Sequence, residues 1–333
     1  MPRMVWTMDV EEFRKKCRGM IPVQYCPYKQ NGDLDLDGLR GNTEFLVDFA
    51  EKGSRDVVIM TNGSTTEFYA NSIDEQKAVI RTVVDAVKGR IPVVAGASHP
   101  GTRETIKMVK YVQEVGADCA MVVLPYYHKP TKEGMFKHYK EVSDSVDIAI
   151  MVYNNPDVSG SLIDPLLMKR ISEIENVVAV KDNTPNAADY AWKAALIDPA
   201  DMALLAGCGE LHYLGAAAYG YKYQGYVAWI GNFAPKISYP IYEAVLERDF
   251  IKAQKALEKQ MPLWSLLGKF MSKRENLSII PSILQTNYMY MAVGKAAMEL
   301  TGLAGGHLRA PLEDLTTEER DELRKVLRET GVT

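Results

Sequence analysis

Short apolar runs recur along the chain, and polar or glycine-containing segments separate them. The runs are rich in Val, Ile, Met and Ala, a composition typical of parallel strands that are buried on both faces. They start at intervals of roughly 30 residues, the length of one strand–helix unit. The eight runs are Met20–Tyr25, Asp56–Thr61, Ile91–Ala95, Cys119–Leu124, Asp147–Tyr153, Val177–Lys181, Met202–Ala206 and Tyr226–Ile230.

The segments between the runs carry helix signals. Ser72 and Glu75 have the spacing of a capping box ahead of a helix over Gln76–Lys88. Glu104–Val115 and Lys132–Ser145 place apolar residues three and four positions apart, as amphipathic helices do. Eight alternating strand–helix units predict an α/β fold, a closed (β/α)8 TIM barrel. A doubly wound open sheet is the alternative, but no Gly-x-Gly-x-x-Gly turn follows the first run.

The chain continues beyond the eighth run without another strand-like segment. Tyr239–Leu267 predicts two helices, Gln285–Leu300 an amphipathic helix, and Thr316–Arg328 a last helix that begins with a capping box. These signals divide the chain into a barrel over residues 1–235 and a C-terminal helical region over 236–333 that packs on the barrel. We interpret the Met and aromatic side chains of this region as core packing rather than as a cofactor site.

The composition narrows the class of protein. The chain has 333 residues, of which 47% are hydrophobic, and its net charge is −4 without a basic stripe, so we expect no nucleic-acid partner. No apolar run reaches membrane-spanning length and the amino end lacks a signal-peptide pattern, so we expect a cytoplasmic protein with no membrane partner. The four cysteines lack metal-ligand spacing, and we expect Cys119 and Cys208 in the core.

Polar residues follow the predicted strands, and in such a barrel the carboxyl ends of the strands meet at one face. Lys181 ends the sixth run, where burial lowers the pKa of a lysine and leaves a neutral amine that attacks carbonyls. Tyr153 and Tyr127 are phenols that can relay protons. Ser64 and Thr65 follow a glycine, so their hydroxyl and backbone N–H groups can converge on a carboxylate.

Five segments, in chain order, resemble the motifs of one enzyme family. They are Gly63-Ser64-Thr65-Thr66-Glu67, Pro125-Tyr126-Tyr127-His128-Lys129-Pro130, Tyr153-Asn154-Asn155-Pro156, Val180-Lys181-Asp182-Asn183-Thr184 and Leu308-Arg309-Ala310-Pro311-Leu312. The family is the dihydrodipicolinate synthase / N-acetylneuraminate lyase superfamily of class I aldolases. The resemblance runs from near Arg18 to near Leu315.

This resemblance implies a lyase in which Lys181 forms a Schiff base with pyruvate or a related 2-oxo acid, with no metal or organic cofactor. A C–C bond is then made or broken at C3. It implies that Tyr153 shuttles the proton, that Ser64 links Tyr153 to solvent, and that Tyr127 or Tyr126 enters a neighbouring subunit of a homotetramer, a dimer of dimers. The implied catalytic residues are Lys181, Tyr153, Tyr127 and Ser64, and the implied substrate-binding residues are Ser64, Thr65, Thr184, Val227, His128 and Val158.

Some positions depart from the family pattern. Val158 stands where dihydrodipicolinate synthases carry an arginine for the carboxylate of the second substrate, and valine cannot make charge-assisted hydrogen bonds. We therefore expect that synthase reaction to be disfavoured. Thr66 and Pro185 replace usual glycines and are expected to reshape the pocket. The aromatic residues near the strand ends indicate room for an apolar or aromatic substrate tail, and they are Phe68, Tyr69, Trp229 and Phe233.

Two other reactions use the same imine: dehydration of a 2-oxo-3-deoxy sugar acid, and hydration with cleavage of an arylidene pyruvate. A non-catalytic binding protein on a retained barrel is a further alternative, but the joint presence of Lys181, Tyr153 and Ser64 argues against it. His99 and His212 also lie near strand ends, on different loops from His128. None of the three has a carboxylate at ligand spacing, so no metal site is predicted.

Overall fold

The computed structural model describes residues 7–184, 186–218, 222–274 and 288–333. Pro185 and the first three residues of the predicted helix Gln285–Leu300 lie outside these ranges. The described residues form eight strands: β1 Gly19–Ile21, β2 Ile59–Thr61, β3 Val93–Gly96, β4 Cys119–Val123, β5 Ala149–Asn154, β6 Val177–Asp182, β7 Ala203–Ala206 and β8 Gly225–Val227.

The strands pair in parallel in the order β1-β8-β7-β6-β5-β4-β3-β2. Parallel bridges from Met20 to Val57 and from Val23 to Met60 connect β1 with the segment of β2 and complete the ring. The predicted (β/α)8 barrel is therefore confirmed. Its register places the Cα of Tyr153 in β5 opposite that of Lys181 in β6, and paired residues of adjacent parallel strands point to the same side of a sheet.

Helix α1 precedes β1 and the other helices lie between and after the strands. The capping boxes predicted at Ser72 and Thr316 are both present. Those in the barrel are α1 Val10–Lys16, α2 Leu36–Lys52, α3 Ile73–Val87, α4 Thr102–Val115, α5 Lys132–Ser143, α6 Pro156–Ser159, α7 Pro165–Ile171, α8 Ala187–Leu196 and α9 Glu210–Ala218. Those after β8 are α10 Pro235–Ser238, α11 Pro240–Leu246, α12 Phe250–Glu258, α13 Met261–Ser272, α14 Met289–Leu300 and α15 Thr317–Glu329.

Apolar side chains fill both faces of the barrel wall, as the uninterrupted apolar runs indicated. Met60, Val94 and Met151 belong to a cluster inside the barrel, whereas a second cluster packs the strands against the surrounding helices. Helix α1, which the sequence pattern did not predict, inserts the fully buried Phe13 into the interior cluster. It contacts β5 and β6 and adds a cap to the packed barrel interior.

The segment Tyr239–Leu267 does not form the two predicted helices. The structure has three, α11, α12 and α13, because Arg248 adopts a left-handed conformation with φ 58° that ends α11. Asp249 then caps α12 by accepting a hydrogen bond from the Lys252 N–H. Pro262 lies in the first turn of α13, where proline favours the start of a new helix. The domain boundary at residue 235 stays a prediction.

Candidate active site

Lys181 is buried near the end of β6, with 3% of its surface exposed. The preceding residues of the strand are apolar and buried. Burial disfavours the ammonium form and lowers the pKa of Lys181 to about 7. The Lys181 Nζ lies 4.2 Å from the ring centroid of Tyr153. A large share of the lysine is therefore a neutral amine at neutral pH, which is the form that attacks a carbonyl carbon.

Tyr153 lies beside Lys181 and keeps its proton at neutral pH. Burial raises the pKa of its phenol to about 12, and contacts with Asn155 and Ser64 act in the opposite direction. The phenol oxygen accepts a hydrogen bond from Asn155 Nδ2 at 2.7 Å. Ser64 lies close to the phenol, although its Oγ makes no hydrogen bond of good geometry within the described part of the chain. A protonated phenol next to a neutral amine can act as a general acid.

The loop after β2 presents Ser64 and Thr65 to the same cavity as Lys181. The loop turns tightly because the Thr66 N–H donates to Gly63 O at 3.0 Å and the Glu67 N–H donates to Ser64 O at 3.0 Å. The Thr66 hydroxyl donates to Gln24 O at 2.7 Å. The threonine that replaces the usual glycine is thus buried behind the loop and ties it to the segment that follows β1.

A cavity of about 540 Å³ opens above Lys181. It brings together six of the residues that the sequence predicted for the site: Lys181, Tyr153, Ser64, Thr65, Val158 and Val227. Three predicted residues are not in its lining: Tyr127, His128 and Thr184. Tyr127 is 77% exposed and packs edge-on against the exposed His128 ring, whereas its neighbour Tyr126 lines the cavity.

Thr184 belongs to a buried polar cluster behind the cavity. Its hydroxyl donates to Asp182 Oδ1 at 2.8 Å and accepts from Lys193 Nζ at 3.1 Å. Lys193 also forms ion pairs with Asp182 and Asp189, and its side chain is fully buried. Tyr223 donates to the other Asp182 oxygen at 3.1 Å. This cluster satisfies the polar groups at the end of β6 and so holds the strand that carries Lys181.

The C-terminal helices supply one wall of the cavity. From the sequence alone, the Met and aromatic side chains of these helices are interpreted as core packing. Trp264, Leu267 and Met271 enter from α13, and Tyr290 and Met291 from α14. Cys208, which the apolar pattern placed in the core, also lines the cavity. The Met-rich, Tyr-rich pattern of α14 is the one local signal for this wall, and it is equally typical of a buried helix.

The cavity is mostly aromatic and apolar beyond Lys181. Of the predicted aromatic wall, Phe68, Tyr69 and Trp229 line it. Phe233 does not, because it packs behind Trp229 with ring centroids 5.9 Å apart. Asp157 is the one carboxylate in the described lining, and Lys181 is its one lysine or arginine.

No cluster of three or more metal-ligand side chains occurs within residues 7–184, 186–218, 222–274 and 288–333. Of the three histidines near the strand ends, His212 lines the cavity, and its Nδ1 lies 3.2 Å from Cys208 O. In the same described ranges, no helix combines the length and the apolar character needed to cross a membrane.

Comparison with known proteins gives a consistent result. A sequence profile of the dihydrodipicolinate synthetase family matches residues 16–330. The chain is 33% identical over 316 residues to 4-hydroxy-tetrahydrodipicolinate synthase of Methanocaldococcus jannaschii, covering 95% of this chain and 99% of that protein. The crystal structure of dihydrodipicolinate synthase from Aquifex aeolicus superposes with a TM-score of 0.80 at 29% identity, covering 95% of this chain and 98% of the other.

YagE, a prophage protein of the dihydrodipicolinic acid synthase family from E. coli K12, was solved in complex with pyruvate. It superposes with a TM-score of 0.80 at 25% identity, covering 95% of this chain and 99% of the other.

Proposed function

This chain belongs to the dihydrodipicolinate synthetase family and is a lyase, and we propose that Lys181 forms its Schiff base with pyruvate or a related 2-oxo acid. The observation that carries the proposal is the buried Lys181 amine, with a pKa of about 7, beside the protonated phenol of Tyr153. Pyruvate in the YagE complex supports the same ligand class for this chain. The protonated imine formed from this amine is the electron sink, so the proposed reaction proceeds without a metal or organic cofactor.

In the proposed reaction the neutral Lys181 nitrogen adds to the keto carbon, and the resulting carbinolamine loses water to give an imine. The Tyr153 phenol supplies the proton with which that water leaves and recovers a proton later, in contact with Ser64. The protonated imine draws electrons from C3, which loses a proton and becomes an enamine carbon. That carbon attacks an aldehyde and forms the C–C bond. Water then hydrolyses the imine, and the reverse sequence cleaves the bond.

Imine formation is expected to rise with pH through about 7, because the pKa of Lys181 is lowered to about 7 from an ordinary value near 10.5 and only the neutral amine reacts. At pH 6 the rate should be about a tenth of its plateau. The measurement is mass spectrometry after borohydride reduction with pyruvate between pH 5.5 and 9, which should show one pyruvyl adduct per chain on Lys181. A midpoint near 10, or labelling of a different lysine, would contradict the proposal.

The second substrate is proposed to be an uncharged carbonyl compound. Val158, in the short helix α6 after β5, lines the cavity in place of the expected arginine. Although relatives are named 4-hydroxy-tetrahydrodipicolinate synthase, the carboxylate of aspartate semialdehyde lacks a cationic partner here apart from Lys181 within the described lining.

Wild-type protein should therefore use aspartate semialdehyde poorly, and Val158→Arg should raise kcat/KM for it by about 10-fold to 100-fold, the worth of one charge-assisted hydrogen bond. Coupled assays with pyruvate and aspartate semialdehyde measure kcat/KM for the wild type and for each variant. Val158→Met is the matched control, because it adds length without charge and should not improve the use of aspartate semialdehyde. Efficient synthesis by wild-type protein would show that another group holds the carboxylate.

The aromatic lining from Phe68, Trp229 and Trp264 favours an aryl or other apolar carbonyl partner. The second candidate function, hydration and cleavage of an arylidene pyruvate, draws support from this lining, since the cleaved aldehyde is aromatic. A 2-oxo-3-deoxy sugar acid fits less well, because its hydroxyl groups need more polar partners than this wall offers.

We also propose a homotetramer built as a dimer of dimers. The 77% exposed Tyr127 supports it, because a large exposed aromatic side chain beside the site is suited to an interface. Tyr127 would then reach the neighbouring site, while Tyr126 lines its own.

A further inference from the structure

Tyr290 lies in the first turn of α14 and reaches the loop after β2. Its phenol oxygen lies 3.4 Å from Thr65 Oγ1, a long separation compared with about 2.7–2.8 Å for most O–H···O bonds. The bond is weak, so both hydroxyls can donate to another acceptor. Burial, and then the nearby Tyr153, raise the pKa of Tyr290, so its phenol keeps its proton and remains a donor at neutral pH.

The loop itself presents further donors without partners. None of the described residues accepts a hydrogen bond from the backbone N–H groups of Ser64 and Thr65. The Ser64 Oγ is buried and lies near the Tyr153 phenol, but it makes no hydrogen bond of good geometry within the described ranges. Buried polar groups of native proteins are nearly always satisfied, by protein, water or ligand. Ser64, Thr65 and Tyr290 line one cavity, and several donors there without a protein acceptor favour an acceptor that arrives with the ligand, such as a carboxylate.

Helix α14 is anchored to this loop by buried charges. Lys295 forms an ion pair with Glu67 at 2.5 Å, and both side chains are at most 1% exposed. The second Glu67 oxygen accepts from the Arg309 N–H at 3.0 Å. Tyr25 donates to the backbone carbonyl of Tyr290 at 3.2 Å. The position of the Tyr290 phenol against the loop is therefore set by tertiary contacts within one chain.

We propose that Tyr290 is a substrate-binding residue whose hydroxyl, together with those of Ser64 and Thr65, holds the carboxylate of the 2-oxo acid within a single chain. The inference rests on the proposed function, because that carboxylate belongs to the compound that forms the imine on Lys181. The described lining offers no second lysine or arginine for the task. The C-terminal helical region thereby takes part directly in recognising the substrate.

The test compares two ketones of similar size, one with a charged carboxylate and one with a neutral amide. Borohydride trapping on Lys181 is measured across concentrations of pyruvate and of pyruvamide, which carries an amide in place of the carboxylate. Tyr290→Phe should raise the half-saturating concentration of pyruvate by about 10-fold to 100-fold, the range for one charge-assisted hydrogen bond. The value for pyruvamide should rise less, by about 2-fold to 10-fold, because a neutral amide gains only an ordinary hydrogen bond. A general loss of structure would weaken the binding of both ketones to the same extent.

Thr65→Val should give the same selective loss, and the double variant should lose less than the two single losses combined, because both hydroxyls contact one carboxylate. Thr65→Ser, which keeps the hydroxyl, should retain pyruvate binding. Tyr290→Met, which also lacks the donor, is the second variant if Tyr290→Phe folds poorly. Tyr111→Phe is the matched control, since that phenol donates to Lys77 O at 2.9 Å outside the cavity.

An unchanged pyruvate curve in Tyr290→Phe, or equal shifts for both ketones, would overturn the inference and leave the proposed function standing. Failure of the wild-type protein to trap either ketone would refute the proposed function, and the role of Tyr290 with it.

Discussion

Lys181→Met should lower turnover by about 10⁴-fold or more, the scale on which enzymes lose activity when their covalent nucleophile is removed. The physical reason is that no imine can form, so the 2-oxo acid keeps its ordinary C3 acidity and the C–C bond has no electron sink. Steady-state assays on the true substrate measure the loss, and borohydride with pyruvate should leave the variant unlabelled. Labelling that persists on this variant would show that Lys181 is not the nucleophile.

The same variant should be more stable than the wild type. The lowered pKa of Lys181 means that burial of its charge opposes folding below the ordinary lysine pKa near 10.5, and the full penalty applies below about 7. Replacement by methionine removes a penalty on the order of a few kcal/mol at neutral pH. Denaturant unfolding of both proteins at pH 7 measures the difference.

Lys193→Met is the matched control for that measurement. Lys193 is as deeply buried as Lys181, but it forms ion pairs with Asp182 and Asp189. Its removal leaves buried carboxylates unpaired, which costs about 3–5 kcal/mol. The two substitutions should therefore move the free energy of unfolding in opposite directions. If both substitutions destabilise the protein, burial of the Lys181 amine does not oppose folding.

Tyr153→Phe should slow the steps that need its proton and reduce turnover by about 10²-fold to 10⁴-fold, the usual contribution of a general acid–base group, while the imine still forms at equilibrium. The phenol lies next to Lys181 and remains protonated because burial raises its pKa to about 12. Borohydride trapping at equilibrium should therefore still label Lys181, whereas the rate of product formation should fall. Near-wild-type turnover would show that another group moves the proton.

Tyr139→Phe is the matched control for this second experiment. Tyr139 is fully buried and its phenol donates to Val122 O at 3.0 Å, away from the cavity. Both substitutions remove one buried hydroxyl and cost about 1–3 kcal/mol of stability through the unsatisfied partner. Thermal unfolding should show a similar loss in the two variants, and only Tyr153→Phe should lose turnover.

The strands were predictable because their signal is local. The apolar run Val177–Lys181 predicts both a strand and the residue at its carboxyl end. The observed strand β6 spans Val177–Asp182. The apolar pattern predicted the wrong strand end where a tertiary contact ends the strand before the apolar run ends. β8 ends at Val227 although the apolar run continues to Ile230, because a 3-10 turn follows. Asn232 Nδ2 fixes that turn by donating to Val23 O at 3.0 Å.

The candidate site also combines residues that local sequence predicts with residues that only tertiary contacts bring into place. Lys181, Tyr153 and Ser64 were predictable because each follows or ends its own strand, and the barrel brings strand ends together. The contact between Thr65 and Tyr290 joins residues 225 positions apart, and no local periodicity encodes how α14 folds back over the barrel. Cys208, two residues after the run Met202–Ala206, was placed in the core for a related reason, since an apolar run does not reveal which neighbouring residues face a cavity.

The wall formed by α13 and α14 also bears on how such an enzyme diversifies. The proposed nucleophile Lys181 and proton donor Tyr153 lie on barrel strands, whereas Trp264, Met271 and Met291 lie on helices that follow the barrel. Selection can therefore change the helical wall, and with it the range of carbonyl partners, while inheriting the reacting groups unchanged. For directed evolution, saturation libraries limited to these three positions offer a compact route to aldolases with new partner specificity.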